Sequence, residues 1–189
     1  MINLPYALIL LALPLVLTAC QSMSPEECQT VNWSERGERD GSWGWTDRSA
    51  GYSESCAKVG IVPDVEAYRA ARVRGLQSYC RLDVALSEGL AGKRYADVCP
   101  APIGLHFKLF HQAAYNQYEA RNTLTRLERE QDSLQTELRN SKTTDERKKT
   151  VRADLLRSDR RLADARADLR AAETRLDRMG RELRQNGLY

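Results

Sequence analysis

At 189 residues, with a formal net charge of +3, 29% charged residues and 7% aromatics, the chain cannot be a multi-span membrane protein. Only its first twenty residues are apolar for long enough to enter a bilayer. A hydrophobic content of 42% can supply a core and excludes wholesale disorder. Charge is unevenly placed, with 11 Lys+Arg against 13 Asp+Glu over residues 1–119 and 18 against 13 over residues 120–189. A basic excess can serve an anionic partner, but here both signs are interleaved, the pattern of a solvated helical surface.

Met1 to Ala19 carries no charged side chain and holds two leucine-rich runs separated by Pro14. That is too short and broken for a comfortable spanning helix and suits a signal-peptide core over residues 1–19. It ends in Leu17-Thr18-Ala19-Cys20, which resembles the bacterial lipobox. The resemblance implies diacylglycerol on the Cys20 thiol, cleavage before it, and a mature amino end carrying acyl chains such as palmitate. More than one chain is needed for stable anchoring. No Lys or Arg precedes the core, so either the free N-terminus supplies the positive charge or the true start lies upstream. The alternative is an uncleaved N-terminal anchor. Gln21, where an Asp would favour inner-membrane retention, implies by the same resemblance the periplasmic face of the outer membrane, with surface exposure left open.

Cys28, Cys56, Cys80 and Cys99 remain, an even number in an exported chain, which favours disulfides over thiols. Three connectivities are possible. Cys28–Cys56 with Cys80–Cys99 is favoured because each closes a local loop, stabilising by about 3 kcal/mol through the unfolded chain. There is no C-x-x-C for zinc, and no histidine stands near a cysteine in sequence to activate it.

Residues 20–102 read as a small cysteine-stapled domain, helical and irregular. Ser24-Pro25-Glu26-Glu27 is a capping box that predicts a short helix carrying Cys28. The density of Gly and Asp from Arg36 to Asp47 predicts turns. Asp40 and Asp47 lack the spacing of a calcium loop and read as turn chemistry. Trp33, Trp43 and Trp45 are candidate binding residues, able to stack on sugar rings or anchor a protein contact if exposed. Burial in a small core is the favoured expectation for them. Asp64 should cap a helix running through Tyr68, Arg72 and Leu76 to Cys80, and Asp83 a second one through Leu90. Pro100 and Pro102 mark a boundary.

The order Asp40-Gly41, Gly44, Cys56, Gly60-Ile61-Val62-Pro63-Asp64, Tyr68, Arg72, Gly75-Leu76, Tyr79-Cys80, Gly89, Gly92, Tyr95, Cys99-Pro100 resembles a family of bacterial envelope lipoproteins. That family is catalogued as domain of unknown function twenty-seven ninety-nine. The resemblance covers roughly residues 28–100. It implies an envelope location and a helical, cysteine-bearing domain, and it supplies no reaction or catalytic residue.

From about Ile103 to Tyr189 the apolar positions take heptad spacing. One seam runs Phe110, Ala113, Gln117, Ala120, Leu124, Leu127, Gln131, Leu134, Leu138. A second runs Val151, Leu155, Ser158, Leu162, Ala165, Leu169, Ala172, Leu176, Met179, Leu183. Between them, Thr143 to Glu146 fits a capping box and should start a new helix. The pattern favours a long antiparallel hairpin, with Leu127 opposite Ser158 and Ala113 opposite Ala172, over a continuous helix in an intermolecular coiled coil.

The fold expected is therefore mainly α, a small disulfide-stapled domain followed by a helical hairpin. His106 and His111 are five apart, which does not suit a helical metal pair, and no catalytic motif is present. No cofactor, no metal and no enzymatic activity are expected. The function expected is a scaffold or protein-interaction lipoprotein, held to the bilayer through acylated Cys20 and meeting an envelope protein or itself through the coiled coil. The alternative is a peptidoglycan-binding module that uses the Trp/Gly-rich loop. Nucleic acid is disfavoured as a partner by compartment.

Overall fold

The computed structural model describes residues 23–189, and the signal-peptide, Cys20 and Gln21 readings lie outside them. Among the described residues the regular structure is seven α-helices: α1 (Pro25–Thr30), α2 (Trp33–Ser42), α3 (Ser49–Ala57), α4 (Val65–Tyr79), α5 (Leu82–Leu90), α6 (Ile103–Arg139) and α7 (Asp145–Gln185). They fall into two compact units, one of residues 23–31 and 49–63, the other of residues 32–48 and 64–189.

In the first unit, Ser24 caps α1 as its sequence predicts. Its hydroxyl accepts from Glu27 N at 3.2 Å, and Glu27 Oε2 accepts from Ser24 N at 2.8 Å. Cys28 on α1 is bonded to Cys56 on α3, with Cα atoms 5.5 Å apart. Buried Met23 places its sulfur 3.7 Å from Cys56 Sγ.

The second unit departs from the sequence expectation at its start. Residues 36–42 of the Gly- and Asp-rich stretch predicted as turns belong to the helix α2, capped by Asn32, whose side chain accepts from Ser34 N and Glu35 N, and the predicted turn is confined to Trp43 and Gly44. Its glycines serve packing. A Cβ on Gly37 would lie 2.0 Å from Tyr68 O, one on Gly41 2.2 Å from Arg72 O, and one on Gly75 2.0 Å from Glu38 O. Helices α2 and α4 therefore touch backbone to backbone, which only small residues allow. Asp64 caps α4 as expected, accepting from Ala67 N at 2.9 Å.

Leu82 begins α5 after Arg81, which gives no side-chain cap; Asp83 lies in the first turn and binds the Arg81 guanidinium instead. The Cys80–Cys99 disulfide, Cα atoms 5.5 Å apart, ties the end of α4 to the segment before α6. The main core gathers Leu76 and Tyr79 of α4, Leu82 and Ala85 of α5, Phe107, Phe110 and Ala114 of α6, and Leu176 and Leu183 of α7.

Helices α6 and α7 form the antiparallel hairpin, and no residue of either predicted seam is exposed. With 37 and 41 residues, the arms are about 55 and 60 Å long. The loop cap lies one residue later than the sequence pattern placed it. Thr144 accepts from Arg147 N, while Thr143 Oγ1 donates to Glu137 O at 2.8 Å. The Glu137 carboxylate takes both Arg147 donors, at 2.6 and 2.9 Å, which holds its pKa below the usual range.

The register also differs. Leu127 packs in one cluster with Leu162 and Ala165, about a turn further along α7 than the Ser158 expected opposite it. Gln131 Nε2 donates to Asp159 Oδ1 at 2.6 Å, and Glu130 meets Arg161 at 2.9 Å. Seam arithmetic fixes the faces of two helices but leaves their axial offset to polar pairs and the loop.

Candidate functional site

The exposed tryptophans lie where α2 ends. Gly44, at φ +69°, turns the chain, with Gly44 N donating to Gly41 O and Trp45 N to Asp40 O. No other residue fits, because a Cβ there would stand 2.1 Å from the Tyr79 ring. The segment beyond is tied down by polar bonds, of which the Tyr68–Asp40 one is buried. Tyr68 Oη donates to Asp40 Oδ2 at 2.9 Å and accepts from Arg48 N at 3.3 Å, and the Arg72 guanidinium donates to Trp45 O. Asp47, read as a turn residue, pairs with Arg69 at 2.8 Å.

This scaffold presents Trp43 and Trp45 to solvent, 52% and 37% exposed, which corrects the expectation that the tryptophans fill a core. Six core residues of α6 and α7 supply that apolar mass instead, including Phe107 and Phe110. The two indoles meet edge to face with ring centres 4.7 Å apart. The guanidinium of Arg39 sits 5.6 Å from the Trp43 ring and that of Arg48 4.5 Å from the Trp45 ring. Trp33 opens α2, is half-buried, and does not line the same groove.

Trp43 and Trp45 form one wall of a groove of about 850 Å³; Tyr79 lines it too, and Glu88, Lys93 and Arg94 come from the end of α5 and the turn after it. That turn repeats the one at Gly44: Gly92 at φ +73°, with Lys93 N donating to Glu88 O. Lys93 Nζ binds Glu88 Oε1 at 2.6 Å, whereas Arg94 makes no ion pair among the described residues. The Tyr79 phenol stays protonated, its pKa pushed up to about 12, mainly by burial and further by Glu88 and Tyr95.

Arg94 also lines a second groove of about 330 Å³, with Tyr95, Lys108, His111 and Tyr115. Lys108 binds Asp97 at 2.8 Å, and Tyr95 Oη accepts from Cys99 N at 2.9 Å. His111 is 4% exposed, hydrogen-bonded to the Lys93 backbone, and its Nε2 has no partner among the described residues. Burial depresses its pKa, so the ring is neutral at pH 7.

Sequence reasoning named Trp43 and Trp45 but missed Tyr79, Lys93, Arg94 and His111. The Lys93-Arg94 pair directly after Gly92 was a visible signal, a basic pair on a glycine turn. Among the described residues no group of three or more His, Cys, Asp or Glu is placed to hold a metal ion, and no helix is long and apolar enough to cross a membrane. Both disulfides suggest an oxidising, extracytoplasmic compartment.

Residues 32–116 match the model of the family described as "Protein of unknown function (DUF2799)". The match reaches from the start of α2 into α6, further than residue 100, where the motif order placed the end of the resemblance. No curated protein and no solved structure matches the chain.

Proposed function

From a DUF2799 domain over residues 32–116, we propose a non-enzymatic envelope lipoprotein, anchored by acylated Cys20 to the periplasmic face of the outer membrane, that works as a scaffold or protein-interaction module. The α6–α7 hairpin carries this reading. Its apolar seams close on each other, so the outward surface of two long arms is left for a partner. That surface is charged in both signs, with cross-arm pairs such as Glu130–Arg161 and Arg121–Glu173 stiffening the arm. Exposed ion pairs add little stability. On α7 one large apolar residue stands out: Leu156 is 63% exposed on a helix whose seam residues are withdrawn. Its position on the outer face of the arm makes it the place to probe for a contact.

The test places a photo-crosslinking residue at Leu156 in the full chain and irradiates intact envelopes. A discrete adduct that disappears with Leu156→Glu on a neighbouring reporter-labelled copy supports the self-association form; an adduct with another envelope protein supports the scaffold form. Absence of any adduct, or an identical adduct pattern after Cys20→Ala releases the chain from the membrane fraction, contradicts the anchored scaffold.

A further inference from the structure

We propose that the Trp43–Trp45 groove, continued past Arg94 into the groove at His111, binds a carboxylated amino-sugar glycan strand. This goes beyond the scaffold reading, and it rests on the groove and the extracytoplasmic compartment alone.

The first argument is preorganisation. Trp43 and Trp45 expose large aromatic surface, yet their loop is pinned by the Asp40–Tyr68 bond, the Arg72 contact to Trp45 O and the glycine turn against Tyr79. A guanidinium lies against each ring and adds modestly to its placement. Little conformational freedom is lost when such rings take a ligand. The apolar C–H face of a pyranose matches an indole in size and in its need to leave water.

Charge is the second argument. The groove is lined by Arg48, Lys93 and Arg94 against one carboxylate, Glu88, which is already bound to Lys93. Arg94 has no ion pair among the described residues, and its planar fork suits a carboxylate. An anion is thus the complementary ligand.

Extent is the third. Arg94 lines both grooves, about 850 and 330 Å³, and aromatic walls recur at Tyr95 and Tyr115. Two linked aromatic-walled grooves sharing one cation fit a repeating polymer better than a single small solute. Among polymers, a strand-adding peptide would need a strand edge, and the described residues have none, so an acidic peptide laid along the cations is the competitor that poly-glutamate stands for in the test. Single-stranded nucleic acid also stacks on aromatics between cations, but the disulfides suggest a compartment outside the cytoplasm.

Binding is measured on the detergent-solubilised full chain by calorimetry. The probes are amidase-treated peptidoglycan strands with free lactyl carboxylates, neutral chitin oligosaccharides of equal length, poly-glutamate, and a single-stranded oligonucleotide. The carboxylated strand should bind in a salt-sensitive manner, and chitin about tenfold more weakly. Trp43→Ala and Arg94→Gln should each weaken binding by about tenfold, while Trp43→Phe retains most of it. Both side chains are exposed, so thermal melting of the variants should match the parent. Undiminished binding in Trp43→Ala, tighter binding of poly-glutamate or the oligonucleotide, or no binding of the carboxylated strand overturns the proposal. None of these results bears on the Leu156 crosslink, so the two readings fail separately.

Discussion

Gly37 lies so close to Tyr68 that a Cβ on it would stand 2.0 Å from the Tyr68 carbonyl oxygen. The atom it would strike is backbone, which cannot swing aside, and Gly41 and Gly75 repeat the approach along the same crossing. The Tyr68–Asp40 bond that supports the tryptophan loop spans this crossing, so the packing of two helices and the placement of the groove are one structural fact.

That relationship makes the same chemical change opposite in sign at two helical positions. Gly→Ala in a helix interior ordinarily gains about 1 kcal/mol. At Gly180 on α7 a Cβ would meet Arg184 and Phe110 at 3.6 to 3.8 Å, ordinary contact, so Gly180→Ala should raise the melting temperature. Gly37→Ala should lower it, with overpacking costing about 1–3 kcal/mol or more. Thermal melts of the two variants decide; a stabilised Gly37→Ala would mean that α2 and α4 do not cross at this distance.

Ser158 is 2% exposed on the inner seam of α7, and its hydroxyl has no hydrogen-bond partner among the described residues. Burying an unpaired hydroxyl costs about 1–3 kcal/mol, and alanine keeps the helix without it. Ser158→Ala should therefore stabilise the hairpin by about 1 kcal/mol, read as a higher denaturation midpoint with unchanged slope. A drop in midpoint would show that the hydroxyl is satisfied.

His111 gives a pH dependence whose sign follows from its burial. Desolvation, the largest effect, lowers its pKa from 6.5; the hydrogen bond to the Lys93 backbone and the nearby Glu88 carboxylate oppose this less strongly. The unfolded chain then binds a proton at a higher pH than the folded one, so stability is full above about 6.5 and declines as pH falls below it. Melting temperature should fall between pH 7.5 and 5.5, before most carboxylates titrate. His111→Phe keeps a flat ring among Phe107, Tyr95 and Tyr115 and should flatten that decline. A decline of equal steepness in the variant would assign the effect elsewhere.

Periodicity and caps made the helices α1, α4, α6 and α7 readable in the sequence, because a seam such as Val151-Leu155-Ser158-Leu162 has one burial solution and Ser24 or Asp64 has one cap geometry. What escaped was tertiary. Gly37 and Gly41 look like turn residues until α4 is laid against them, since propensity cannot see a close crossing. Trp43 and Trp45 look like core until Phe107 and Phe110 are found to fill it, and Arg94 gains meaning only when two grooves meet at it.

The hairpin itself is tested through its offset. Leu162, 1% exposed, packs with Leu127 and Ala165 near mid-arm. Leu162→Asp removes that packing and places a carboxylate in the seam, costing about 2–5 kcal/mol. Far-UV melts of the variant should lose their cooperative high-temperature phase. Offset is read by a second measurement. Gln131 and Asp159 touch across the arms at 2.6 Å, so a Gln131→Cys, Asp159→Cys chain should be bridged within one molecule by a short dithiol-reactive linker. The four described native cysteines are held in disulfides and should not compete. In the register expected from the seams alone, with Leu127 opposite Ser158, these two positions would sit about a turn out of alignment and bridge more slowly than a Gln131→Cys, Asp154→Cys pair. Faster bridging of the 131–154 pair would restore the seam register, and bridging only between molecules would replace the hairpin with an intermolecular coil.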